Sequence, residues 1–319
     1  MKKHFIVMII SLLMVIGLYA NGTKEGDDAS GEKQLVVGFS QMDTQNSWRI
    51  AETNSIKEEA EKRGIKLIYT DAQDSTSKQI SDVEDIVAQK PDYLLLAPRE
   101  YEGLVPALEA AKRANVPVIL LDRDAAGEAG TDYVTLIAAD FIWEGKKSAE
   151  LLAEYFDGKK ANIVQLTGTP GSSVARDRGK GFEDEIAKHS NLTIISTQVG
   201  DFNRSTAQKT MENIIQASGN SIDAVYGHSD EDGIGALQAL KAAQIEGVTI
   251  VGINGQLDAM KAIAAGEYYA TVQCSPFFGP KAFEVIEMLE KGDNVPLFIQ
   301  NPGKVFDAAN VVENMHEGF

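Results

Sequence analysis

The sequence predicts an α/β protein of two doubly wound parallel-sheet lobes, and three observations predict it. From Gln34 onward, short branched apolar runs alternate with helical patterns, the order that builds parallel sheets with right-handed crossovers. One run, Val116-Pro117-Val118-Ile119-Leu120-Leu121, is continuous and ends on Asp122-Arg123-Asp124. Continuity without polar alternation suits a strand buried on both faces. The third observation is a repeat. Pro91-Asp92-Tyr93-Leu94-Leu95-Leu96 leads through a helical pattern to Ile119-Leu120-Leu121-Asp122, and Ser221-Ile222-Asp223-Ala224-Val225-Tyr226 leads likewise to Val251-Gly252-Ile253-Asn254. Asp92 to Asp122 spans 30 residues and Asp223 to Asn254 spans 31, so two similar βαβ units place polar strand tips at the same point.

Composition bounds the function. The 319 residues are too many for one ordinary doubly wound domain and sufficient for two. A formal charge of -17 disfavours nucleic acid and anionic membrane surfaces and suits a neutral or cationic ligand. Cys274 is the single cysteine, which rules out an intramolecular disulfide and a Cys-rich zinc site. Residues 1–20 read as a secretory signal, with Lys2 and Lys3, an apolar stretch from Phe5 to Leu18, and cleavage after Ala20. The apolar run falls short of the ~20 residues a membrane span requires. Residues 21–33 are polar and read as a flexible tether.

In chain order, strands are predicted at Leu35–Phe39, Lys66–Tyr69, Tyr93–Ala97, Val116–Leu121 and Tyr133–Ala138. Further strands fall at Asn162–Thr167, Leu192–Gln198, Ala224–Gly227, Val248–Ile253 and Ala270–Val272. Between them, Ile80, Val83 and Val87 keep helical spacing, as do Ala282, Val285 and Leu289, after which Gly292 suits a left-handed cap. Ser47 is a candidate N-cap for the helix after the first strand.

Charges cannot stay unpaired in such cores, so Asp122 and Arg123 belong just past a strand's carboxyl end, where ligands of open α/β sheets bind. A carboxylate accepts from hydroxyls and a guanidinium donates to ring or hydroxyl oxygens, which is equipment for a polyol. The alternative for this stretch alone is a surface ion pair capping a strand. Other polar tips are Gln45-Asn46-Ser47-Trp48-Arg49 after the first strand, Arg176 and Arg178 after Gly168–Ser173, Asp201-Phe202 with Arg204, His228-Ser229-Asp230, and Asn254. Trp48 and Phe202 are placed to sandwich a sugar ring.

These residues carry a resemblance. Gly38-Phe39-Ser40-Gln41, Ser47-Trp48-Arg49, Leu120-Leu121-Asp122-Arg123, Ser173-Val174-Ala175 with Asp177-Arg178, and Gly200-Asp201-Phe202 stand in an order and spacing that resembles the periplasmic sugar-binding proteins of ABC importers. The likeness is to the ribose-binding class, type I, nearest its galactofuranose-binding branch, and runs from Leu35 to Ala309. It implies a Venus-flytrap fold: two lobes joined by a three-segment hinge near residues 137–138, 274–275 and 302–303. The lobes would be residues 34–137 with 275–302, and residues 138–274 with 303–319. It further implies a monomer that closes on one monosaccharide and docks on a membrane permease in the periplasm, with no cofactor. Gln45, Asn46, Trp48, Arg49, Asp122 and Arg123 would meet the sugar from the first lobe. Phe202, Ser229 and Asn254 would meet it from the second, with either Arg176, which matches the ribose binders, or Arg178, which matches the galactofuranose branch. Ser229 departs from the family's usual Asn, Asn254 from its usual Asp, and Gln45 from a Glu of that branch.

Rival readings are weaker. A nucleotide-dependent enzyme would use Gly168–Ser173 as a phosphate loop, but that segment lacks the Gly-Lys-Ser/Thr ending, and no G-x-G-x-x-G follows the first strand. His228 has Asp230 nearby without a nucleophile elbow, and reads as structural. A sugar-responsive repressor would need a DNA-binding headpiece where the leader and tether stand. A chemoreceptor-coupled binding protein stays open beside the importer reading. Cys274 reads as a buried, inert thiol, with ligand contact the lesser alternative, and Trp143 reads as core.

Overall fold

The computed structural model describes residues 34–218 and 221–319; the leader and tether expected within 1–33 lie outside them. Two six-stranded sheets carry the chain. In the first, β1 (Val36–Gln41), β2 (Lys66–Asp71), β3 (Tyr93–Leu96), β4 (Val118–Leu121) and β5 (Thr135–Ala138) stand in the order 2-1-3-4-5, with β11 (Phe298–Gln300) beside β5. The second sheet repeats that permutation. Here β6 (Ala161–Thr167), β7 (Leu192–Val199), β8 (Ala224–Gly227), β9 (Thr249–Asn254) and β10 (Ala270–Gln273) stand as 7-6-8-9-10, with β12 (Val305–Asp307) antiparallel beside β10. The two sheets are thus the α/β lobes that the repeat predicts.

Strand order reverses between β1 and β3 in one sheet and between β6 and β8 in the other. At such a switch the neighbouring crossovers leave on opposite faces, and a crevice opens outside the carboxyl ends. Continuous apolar runs fill the centre. Leu94, Leu95 and Leu96 are fully buried beside Ile119, Leu120 and Leu121, and Val225 and Tyr226 lie equally deep in the second sheet.

Helices cover the faces as the periodicity predicts. In α2 (Thr76–Ala88), Val83, Ile86 and Val87 are buried. In α9 (Gly279–Lys291), Ala282, Val285 and Ile286 are buried and Gly292 caps at φ 74°. The strand predicted from Val116 begins at Val118, because Pro117 has no N–H to give the ladder and Val116 N–H instead donates to Ala111 O of the preceding helix. β11 and β12 carry no strand pattern in the sequence; each is three residues long and exists by pairing to a sheet edge. Among the described residues, no helix is long and apolar enough to cross a membrane.

Candidate functional site

The helix after β1, α1 (Ser47–Lys62), starts one residue from its predicted cap. Asn46, in an extended conformation, accepts from Arg49 N–H at 2.9 Å, so Asn46 is the N-cap. Ser47 is released, and its hydroxyl donates to Glu231 of the second lobe at 3.3 Å. The same first turn directs Trp48 and Arg49 inward, with Trp48 Nε1 donating to Cys274 O at 2.7 Å.

Between the tips of the two sheets lies a cavity. From the first lobe it is lined by Asn46, Trp48, Arg49, Asp122 and Arg123, and from the second by Arg178, Phe202, Ser229 and Asn254. The structure therefore gathers nine of the sequence-predicted positions. Gln45 faces an adjoining polar recess with Asp43, Asp74 and Asp201, which shares Asn46, Arg123 and Phe202 with the cavity. Arg176 lines neither: its half-exposed side chain forks onto Asp177 at 2.7 and 2.9 Å. Val174, Glu231 and Cys274 also line the cavity. Glu231 sits two residues past Ser229 in the first turn of α7 (Asp230–Ala242), a position that the His228-Ser229-Asp230 tip could have disclosed. Asp230 itself turns away, accepting from Gln256 N–H, Thr271 and Tyr268.

Two of the cavity's arginines are held by hydrogen bonds to buried carboxylates. Arg49 reaches Asp122 Oδ2 at 2.6 Å and Glu52 Oε2 at 2.7 Å. Burial opposes its charge, but Asp122 and Glu52 outweigh burial and hold the guanidinium above its ordinary pKa. Arg178 repeats this in the second lobe: it reaches Glu144 Oε2 at 2.8 Å, His228 O at 2.6 Å and Asn254 Oδ1 at 3.4 Å. Burial pushes Glu144 up to about 7 against the pull of Arg178. Arg123 is the exception. It donates to Arg99 O at 2.7 Å, its Nε makes no hydrogen bond and lies 3.9 Å from Asp122 Oδ2, and burial together with Arg49 lowers it to about 9. A buried donor left over in this way is a hydrogen bond available to a ligand.

The tips themselves are strained. Asp122 (φ 61°), Asp201 (φ 64°), Phe202 (φ 53°) and Asn254 (φ 133°) all have positive φ, which costs a non-glycine residue of order 1–3 kcal/mol and clusters at functional sites. Of these, Asp122, Phe202 and Asn254 line the cavity and Asp201 the adjoining recess. Phe202 lies with the guanidinium carbons of Arg123 and Arg178 at 5.4 and 5.9 Å from its ring. Room for the ring depends on Gly168, where a Cβ would fall 1.9 Å from it.

Chemically this is a box of fixed donors and acceptors with an aromatic plane from each lobe. His228 is fully buried, faces Gln165 at 3.1 Å, and is pushed by burial and by Arg178 down to about 3, so it stays neutral. The Ser229 hydroxyl is committed to Asp232 at 2.8 Å. Cys274 is a protonated thiol, raised well above its usual range first by burial and then by Glu144. Among the described residues, no cluster of His, Cys, Asp or Glu could hold a metal ion.

Comparison with known proteins gives the same picture. The chain is 42% identical over 267 residues to the galactofuranose-binding protein YtfQ of Escherichia coli (strain K12), covering 82% of this chain and 84% of that one. It is 34% identical over 309 residues to the ribose import binding protein RbsB of Bacillus subtilis (strain 168), covering 96% and 99%. Among solved structures, it superposes with TM-score 0.84 and 36% identity on the periplasmic binding protein component of the arabinose ABC transporter from Shewanella sp. ANA-3 bound to α- and β-L-arabinofuranose, covering 88% of this chain and 94% of that one. Residues 37–294 match the periplasmic binding protein domain family, and the chain belongs to that family.

Proposed function

We propose that this protein captures one neutral sugar, furanose-like in shape, between its two lobes and delivers it to the permease of an ABC importer. It would act as a monomer outside the inner membrane, after removal of residues 1–20. The lobes, residues 34–137 with 275–302 and residues 138–274 with 303–319, would close about the three crossovers. One observation carries the reading: Trp48, Asp122 and Arg123 of one sheet and Arg178, Phe202 and Asn254 of the other line a single cavity. Asp122 accepts from sugar hydroxyls, the Arg123 Nε–H, which makes no hydrogen bond within the protein, donates to a ring or hydroxyl oxygen, and the two aromatic faces take the C–H surfaces. Relatives named for galactofuranose and bound to arabinofuranose support a furanose, and these together with the ribose import binding protein favour capture over the enzyme and receptor readings. Asn254, an amide where an acid is usual, both accepts and donates and so would serve a different hydroxyl pattern.

Isothermal calorimetry of the full chain against a panel of neutral pentoses and hexoses tests this. At least one sugar should bind at micromolar Kd or tighter, worth ~8 kcal/mol, with loss of the heat in Asp122→Ala. Silence across the panel would overturn the proposal.

A further inference from the structure

We propose that Arg176 is a positioning residue: with the start of helix α5 (Ser173–Ile186) it forms a clasp on the loops after β3 and β4 that fastens the lobes without touching the sugar. This rests on reading the cleft as a sugar trap and adds a fastening separate from the ligand. Three contacts define it. Tyr101 N–H donates to Gly171 O at 3.0 Å, and Asp124 N–H donates to Ser173 Oγ at 2.9 Å. The Arg176 guanidinium lies over the Tyr101 ring, 4.9 Å from its centre. Ala126 N–H donates to Tyr101 O at 2.8 Å, which joins the two first-lobe loops into one face. Neither Tyr101, Asp124, Gly171, Ser173 nor Arg176 lines the cavity.

Helix phase divides the labour between the two arginines. Arg176 and Arg178 stand two residues apart, about 200° around α5, so they leave it on opposite sides. Arg178 is buried against Glu144 and faces the cavity, while Arg176 is held at the rim by its fork onto Asp177. That fork fixes the guanidinium plane, and the plane can then lie on Tyr101. Gly171, at φ 81°, turns its carbonyl toward Tyr101 in a conformation that side chains rarely adopt.

A contact between protein and protein contributes equally to closure around any ligand. The clasp therefore slows release of every sugar by one common factor, whereas Arg178 and Asn254 discriminate among sugars.

Two measurements on the full chain test it. In stopped-flow fluorescence with the sugar panel, Arg176→Ala and Tyr101→Ala should each raise Kd about two- to fivefold, through koff, by the same factor for each sugar. The double variant should be no worse than either single one. A change in sugar ranking in Arg176→Ala, unaltered Kd values or additive losses would overturn the clasp. Separately, the Asp124–Ser173 contact limits their Cα atoms to within about 7 Å, at the outer edge of disulfide reach. The pair Asp124→Cys with Ser173→Cys should bridge on mild oxidation of the sugar-free protein. No bridge with or without sugar counts against the clasp; a bridge on oxidation, together with no binding across the panel by the reduced, unbridged protein, leaves the clasp standing and removes the sugar reading.

Discussion

Arg49 donates to Asp122 Oδ2 across 2.6 Å, joining the first turn of α1 to the tip of β4 inside a cavity where both side chains are almost wholly buried. The bond makes the sugar's proposed acceptor a rigid part of the lobe, since Glu52 holds the same guanidinium from behind and Gln41 holds Glu52.

Asp122→Asn keeps that shape and removes the charge. A hydrogen bond to a charged group is worth ~1.5–3 kcal/mol and a neutral one ~0.5–1.5, so sugar affinity should fall about tenfold by calorimetry. Asp122→Ala should cost more in stability, toward the lower end of the ~3–5 kcal/mol expected for a broken buried pair, because Glu52 still pairs with Arg49. Urea unfolding of the two variants checks the difference in order.

Gly168→Ala should weaken binding without contacting the ligand. Its new Cβ would fall on the Phe202 ring, and the ring must leave the cavity. We expect a loss of about tenfold, similar to that of Phe202→Ala and within the ~0.5–1.5 kcal/mol of an aromatic contact plus its lost burial. The pair should not add when combined; calorimetry of the double variant decides it.

Stability should carry an acid limb from His228. Its folded value of about 3 lies below its ordinary ~6.5, with Arg178 and the Tyr226 ring beside it. Between those values the unfolded chain binds a proton that the fold refuses, so stability falls as pH drops from ~6.5 toward 3. Glu144 and Asp230, both pushed up to about 7 by burial, act oppositely: their contribution is complete below their ordinary acid values and is lost as pH rises through 7. Relative to wild type, His228→Gln should therefore gain up to about 3 kcal/mol between pH 7 and pH 4. Parallel stability curves for the two proteins would refute this.

Cys274 should react with a thiol reagent at least about 100-fold more slowly in the native protein than in urea, since the thiolate is the reactive form and burial suppresses it. Because the side chain lines the cavity, a bound sugar should slow it further; timed colorimetric labelling with and without ligand checks both.

Much of this architecture is local and so readable in the chain. Val118–Leu121 is a buried strand because its apolar run has no polar alternation, and Asp122 is a tip residue because its charge cannot follow that run inward. The same reasoning places Asn254 after Val251–Ile253 and predicts two lobes from the repeated spacing. Other features have no local signal. The edge strands Phe298–Gln300 and Val305–Asp307 are ordered by partners more than 100 residues away for β5 and about 35 for β10.

What the amino-acid order alone determined was the alternation of strand and helix, the pairing of two like lobes and the set of polar tips, because these follow from periodicity and from the cost of burying charge. Tertiary structure decided which tips share a cavity: Arg178 inside and Arg176 at the rim, Asn46 as cap with Ser47 freed toward Glu231, and Gln45 in the next recess. Those choices depend on helix phase and on how closely two separate sheets approach, quantities that no single stretch of sequence contains.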